Sequence, residues 1–220
     1  MCYSLQASIT TYLVALPIFI FFLLSKDLDY KITGIIFTYI IQMQLLEGLM
    51  WKDQACSGLN QIASRISIYF TLFQPMVVFL AVMYINKQRG QKVNKNLIYA
   101  MIPYFIFLAC NLVQKIRPSD LCTVPYKNGS HWLVWKWNRT KYPFIWLISL
   151  FLPLFFLYKN KITSVISLVM IYVAISFVVS FLLFPSKDKF GSVWCFSQGG
   201  LAILLLIYYL YTLKTDKKNE

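Results

Sequence analysis

Seven runs of apolar residues, separated by charged segments, leave this chain of 220 residues little room for anything except membrane-spanning helices. A spanning helix needs roughly 20 apolar residues, so seven of them consume about 140. Inside lipid every backbone N–H and C=O must be satisfied within the protein, which favours helices. The runs fall at about 7–24, 32–51, 59–85, 96–114, 142–158, 162–184 and 190–213. The expected fold is all-α, a polytopic seven-helix bundle forming a single membrane domain over residues 1–220. With 59% hydrophobic and 13% charged residues, the chain departs from a soluble domain, where about 45–50% is apolar and about 25% charged. No Lys or Arg precedes the first run and Lys26 follows it, so that run reads as a retained span rather than a cleaved leader.

The net charge of +13 would point to nucleic acid in a soluble protein. In this chain the Lys and Arg lie at span ends and in loops, where they anchor and orient helices, so the expected partner is the lipid bilayer. Eleven of them fall in the short loops on the carboxyl-terminal side. Nine, leaving Arg65 aside, fall on the other side, most of them in the one long connection. The positive-inside rule then puts the carboxyl terminus in the cytoplasm and the amino terminus outside or in a lumen. The sequons at Asn128 and Asn138 both lie in the long connection on the outer side, which makes them candidate glycosylation sites.

Cys2, Cys56 and Cys122 lie in outer-side segments, and Cys195 lies near that side. An oxidising compartment would permit disulfides among them, with three possible pairings, and free buried thiols are the alternative. Cys110, within the fourth span, has no evident partner.

Glu47 and Arg65 are the ionisable residues of opposite sign that fall inside the spans. Intramembrane charges are costly and mark functional sites by default. A short turn joins their two helices, so the side chains could meet at similar depth. Such a pair would serve gating, proton relay or ligand contact. The alternative is a buried pair that fixes packing, or Arg65 snorkelling to the headgroups. Gln42, Gln44, Asn60, Gln61, Gln74, Asn111, Gln114 and Gln198 form a scattered polar set, which would line a hydrated pocket or bond helices together. Pro75 interrupts the hydrogen bonding of the third span.

Several chemistries lack their residues. His131 is the one histidine, so neither a histidine-rich zinc site nor a bis-histidine haem is available. A retinal Schiff base would need a lysine within the seventh span, which has none, and no GxSxG elbow is present. No cofactor is expected.

Three strings, Met1-Cys2-Tyr3-Ser4, Glu47-Gly48-Leu49-Met50-Trp51 and Gly191-Ser192-Val193-Trp194-Cys195, resemble a family of small seven-helix membrane proteins that opens Met-Cys-Phe/Tyr-Ser and has no assigned activity. The resemblance implies that Cys2, Ser4, Glu47, Trp51, Trp194 and Cys195 share one outer-side site. It supplies no reaction. The favoured function is a small non-enzymatic channel, transporter or sensor. An assembly protein of an organelle or virion membrane, bound to other membrane proteins, is the first alternative, and a thiol-based membrane enzyme is the second.

The topology is open to a direct check. In a glycosylating host the chain should shift on deglycosylation, the shift should disappear with Asn128→Gln, and the tail beyond Lys214 should be cleaved only from the cytoplasmic face. A glycan-free loop with an externally cleaved tail would invert the orientation.

Overall fold

A computed structural model describes residues 4–92, 94–115, 121–125, 133–135, 143–158, 163–183 and 187–216. Cys2, Asn128, His131 and Asn138 lie outside the described residues, as do the side chains of Gln114 and Cys195. The described chain is helical throughout: α1 (Leu5–Leu23), α2 (Leu28–Ile40), α3 (Gln42–Lys52), α4 (Leu59–Gln88), α5 (Lys95–Lys115), α6 (Pro143–Tyr158), α7 (Ser164–Leu183) and α8 (Lys187–Asp216). Strand-like pairing among the described residues is confined to one bridge, Pro125 with Leu133.

Helix starts follow caps rather than hydropathy, which is why α1 and α2 begin before their apolar runs. The Ser4 hydroxyl accepts the Ala7 N–H at 3.1 Å, and the Asp27 carboxylate accepts the Asp29 N–H at 2.8 Å. Both satisfy donors that a helix start leaves unpaired. α2 and α3 form one span, Leu28–Lys52, interrupted at Ile41. There the Gln42 amide Nε2 donates to the Thr38 carbonyl at 2.9 Å, the acceptor that the Gln42 backbone N–H would otherwise use. The Gln42 Oε1 in turn accepts from Tyr12 of α1 at 3.1 Å. Four helical segments of the described chain are long and apolar enough to cross a membrane: Leu5–Leu23, Leu28–Lys52, Leu59–Gln88 and Lys95–Leu112. Ile145–Tyr158 and Ser164–Ser180 are apolar but shorter.

Side-chain pairings fix the directions. Gly48 of α3 meets Ile9 of α1 and Gly34 of α2 meets its Leu23, so α1 runs antiparallel to the α2–α3 span. Gly34 is required there: a Cβ would fall on the backbone of Phe22 and Leu23. Thr11 faces Gly199 and Phe21 packs on Tyr209, so α1 and α8 run parallel. α4 packs against α2, α3, α5 and α6 and forms the spine of the arrangement.

Pro75 sits in the middle of that spine and is buried. It has no N–H, so the carbonyl four residues back, that of Thr71, loses its helical donor. The indole Nε1 of Trp146, on α6, donates to this carbonyl at 2.7 Å. On either side, Tyr104 of α5 donates to the Leu72 carbonyl at 2.7 Å and Tyr39 of α2 to the Phe70 carbonyl at 3.2 Å. Three helices thus supply donors to one interrupted turn.

Trp146→Phe removes the donor and should destabilise by about 1–3 kcal/mol, the cost of leaving a buried acceptor unmet. Pro75→Ala restores a backbone N–H, so the same change should cost much less in that background. Thermal unfolding of the four variants in detergent measures the coupling. Additive effects would separate Trp146 from the proline.

Candidate functional site

α1, α3 and α8 pack on one another, and each carries buried polar side chains. Gly48 lets the first turns of α1 approach α3, placing Ser8 of α1 on the level of Glu47. Gly199 admits Thr11 in the same way from α8. Ser8, Gln44 and Glu47 are fully buried, and Gln198 is 1% exposed. The Gln44 Nε2 donates to the Glu47 Oε2 at 3.2 Å. The Gln198 Nε2 donates to the Trp194 carbonyl at 3.3 Å and to the Ser197 Oγ at 3.2 Å, leaving its Oε1 turned elsewhere. Trp51, one turn beyond Glu47 at the i+4 position, is half-buried on the same side of α3. Trp194 is buried, edge-on to Trp146 at 5.7 Å and to Phe177 at 5.9 Å.

The structure therefore places Glu47, Ser4, Trp51 and Trp194 on three helices that contact one another. Ser4 caps α1 at the open end of this junction. Cys2 and the Cys195 side chain lie outside the described residues. Ser8 carries no motif. It is buried next to Ile9, which meets Gly48 of α3, and no sequence pattern announces that.

Arg65 is not part of the junction. It is exposed beside Ile62 and Ile66, which are 60% and 39% exposed, on the outward face of α4. The inward face at that level is taken by the buried Asn60, Ser64 and Ser67. One residue along a helix is a turn of about 100°, which is enough to point Arg65 away from Glu47. The structure thus keeps the two charges apart, and a snorkelling guanidinium fits its setting. The rest of the polar set is dispersed too. Gln61 is exposed, Gln74 is buried within α4, and Asn111 donates to its own helix at the Phe107 carbonyl, 2.8 Å away.

Asn60 instead organises a clamp at the end of the bundle where α3 turns into α4. Its Nδ2 donates to the carbonyls of Met50 at 2.9 Å and Thr123 at 2.8 Å, while its Oδ1 accepts the Thr123 N–H at 2.9 Å. The Ser64 and Thr123 hydroxyls bond at 2.6 Å. A disulfide between Cys56 and Cys122, with Cα atoms 5.9 Å apart, fastens the same segment covalently. Cys110 is free and exposed. The preceding turn places Cys56 at φ 59° and Gly58 at φ 134°. Asp53 holds that turn, accepting from the Ser57 N–H and hydroxyl at 2.9 Å, the Gly58 N–H at 3.1 Å and the Asn60 N–H at 2.9 Å. Those donors, led by the Asn60 N–H, hold its carboxyl down at about 2.

At the opposite end Arg89 and Asp29 form an ion pair of 2.6 Å. Tyr158 also donates to Asp29, and the guanidinium lies over the Tyr158 ring at 5.2 Å. This ties the start of α2 to the ends of α4 and α6. Among the described residues no group of His, Cys, Asp or Glu has the arrangement of a metal site. Compared with family models, curated proteins and solved structures, the chain has no match.

The clamp has a pH signature. A carboxyl held at about 2 in the folded state and near about 3.9 when unfolded stabilises fully above about 4 and loses that contribution as pH falls towards about 2. The stability gap between the native chain and Asp53→Asn should be constant above about pH 5 and close between about 4 and 2. A gap of the same size at every pH would remove Asp53 from the role of anionic cap.

Proposed function

We propose that this is a seven-crossing integral membrane protein, amino terminus outside or lumenal and carboxyl terminus cytoplasmic, that acts as a small transporter or sensor through Glu47. The carrying observation is the complete burial of Glu47 on α3, which packs against α1 and α8, with Gln44 donating to its carboxylate at 3.2 Å. A carboxyl group within a hydrophobic span is expensive to keep ionised, so its protonation is coupled to the arrangement of its neighbours. A change in those neighbours takes up or releases a proton, and that coupling is what a proton-linked carrier or sensor uses. The alternating directions of the helices support an odd number of crossings. The recess beside Trp194 and Gln198, lined by α2, α6, α7 and α8, has a volume of about 30 Å³, room for about two water molecules. That favours a gated device over a standing pore.

An assembly role is the second reading. It is favoured by the polar groups already spent on joining elements: Asn60 with Thr123, Tyr12 with Gln42, and Asp29 with Arg89.

In proteoliposomes loaded with a pH-sensitive dye, the native chain is expected to move protons under an imposed potential, or to show a pH-dependent carboxyl band by infrared difference spectroscopy. Glu47→Gln should abolish both while its melting temperature stays close to native. A native chain with neither signal, or a variant that retains both, would defeat the transporter or sensor reading and leave the assembly reading standing.

A further inference from the structure

The outward face of α4 carries a stripe whose chemistry repeats in mirror order from its two ends. Arg65, Tyr69, Phe73, Leu80, Tyr84 and Lys87 follow one another at intervals of three, four or seven residues, which confines them to an arc of about 100° around the helix. Arg65 and Lys87 are exposed, Leu80 and Tyr84 are 56% and 43% exposed, and Tyr69 and Phe73 are half-buried. A cation stands at each end, a tyrosine one turn inside each cation, and apolar side chains between the tyrosines. Residues 66–85 carry no charge.

The dimensions are those of a bilayer. From Arg65 to Lys87 the helix rises about 33 Å, against a hydrocarbon thickness of about 30 Å. From Tyr69 to Tyr84 it rises about 22 Å, so each ring starts inside the hydrocarbon edge and its hydroxyl points the way to the headgroups, the place an amphipathic ring prefers. The tyrosines on the neighbouring helices spend their hydroxyls on α4 carbonyls, Tyr39 on Phe70 and Tyr104 on Leu72. Tyr69, Tyr84 and Arg65 make no hydrogen bond or ion pair with the described residues. Arg89, by contrast, is neutralised by Asp29. A guanidinium at the edge of hydrocarbon is costly without a counter-charge. Its stem is long enough to reach the headgroups, and its planar fork matches a phosphate with two N–H groups.

We propose that this stripe is a lipid contact that fixes the depth of the bundle, and that the Arg65 guanidinium binds the phosphate of a phospholipid in the leaflet at the amino-terminal end of α4. Lys87 marks the opposite edge. Spacing separates this from a protein partner: an acidic residue on another chain would satisfy Arg65 but would ask for neither the tyrosines nor a second cation one hydrocarbon thickness away. The proposal rests on α4 crossing the membrane and is independent of Glu47.

The full chain, with carbon-13 at every arginine Cζ, would be reconstituted in phosphatidylcholine bilayers in a phosphate-free buffer, so that all phosphorus belongs to lipid. The dipolar coupling between Cζ and phosphorus, read as the difference between the native chain and Arg65→Gln, should contain one guanidinium at contact distance. Thermal unfolding in phosphatidylcholines of increasing acyl length should give the native chain its highest melting temperature near a hydrocarbon thickness of about 30 Å. Arg65→Leu extends the apolar stripe to Ile62, by about 4.5 Å, and should move that optimum to thicker bilayers, whereas Arg65→Lys should leave it in place. A difference spectrum without the coupling would overturn the phosphate contact, and a native dimer that Arg65→Gln dissociates would then give the face to a second copy. An optimum that Arg65→Leu does not shift would overturn the setting of depth. Failure of the crossing itself reads differently: Leu80→Cys would then gain label from a membrane-impermeant thiol reagent, which a side chain in hydrocarbon does not.

Discussion

An unpaired carbonyl in the middle of a long apolar helix is the constraint around which this structure is built. Within α4, Pro75 leaves the Thr71 oxygen without its helical donor, and neither water nor lipid is there to replace it. The answer comes from other helices: the Trp146 indole, flanked by the Tyr104 and Tyr39 hydroxyls on the neighbouring carbonyls. Each donor must arrive at the right height, so the bonds set the register of α2, α5 and α6 against α4. Apolar packing in lipid supplies little of that specificity, because lipid tails are as apolar as leucine.

The two ends of the bundle are held by different physics. At one end, neutral amide and hydroxyl bonds centred on Asn60 work with a covalent link that closes the chain between Cys56 and Cys122. Such links contribute about 2–4 kcal/mol by restricting the unfolded chain, towards the lower end where helix insertion already restricts it. At the other, an ion pair stacked on a tyrosine does the corresponding work. A partly buried pair of this kind stabilises less than it specifies, since desolvation offsets much of the attraction.

Much of the architecture was legible in the residues. Long apolar runs and sparse charge pointed to helices, and the helices observed differ from those runs at their ends, where Ser4 and Asp27 set the start by capping, and at Ile41, where the second run is broken in two. Cys110 was expected to remain free, and it does. Which way a side chain points was harder to read. Helices that are apolar all round have no face to identify, so the sequence could place Glu47 and Arg65 at the same depth but not on facing surfaces. Ser64 is buried and Arg65, one residue on, is exposed. Non-local bonds were equally hidden. Asn60 meets Thr123 from 63 positions away, and Asp29 and Arg89, which read as loop charges, meet each other instead. Capping by Asp53 of four donors at once was hidden too, since it depends on the left-handed backbone at Cys56 and on Gly58.

α4 is gripped at its amino-terminal end by the Asn60 clamp and at its carboxyl-terminal end by Arg89, with the bond that Pro75 removes between them. Mechanically it is a beam fixed at both supports with a single weakened section at mid-span. Such a beam neither slides nor tilts as a whole; when loaded, it bows where it is weakest. At that section the bonds run to side chains of neighbouring helices rather than along its own axis, and a side chain changes rotamer at far less cost than a helix changes pitch. Any rearrangement of the bundle that leaves its two ends in place is therefore concentrated around Thr71 and Pro75, and Tyr39, Tyr104 and Trp146 transmit it sideways into three other helices at once.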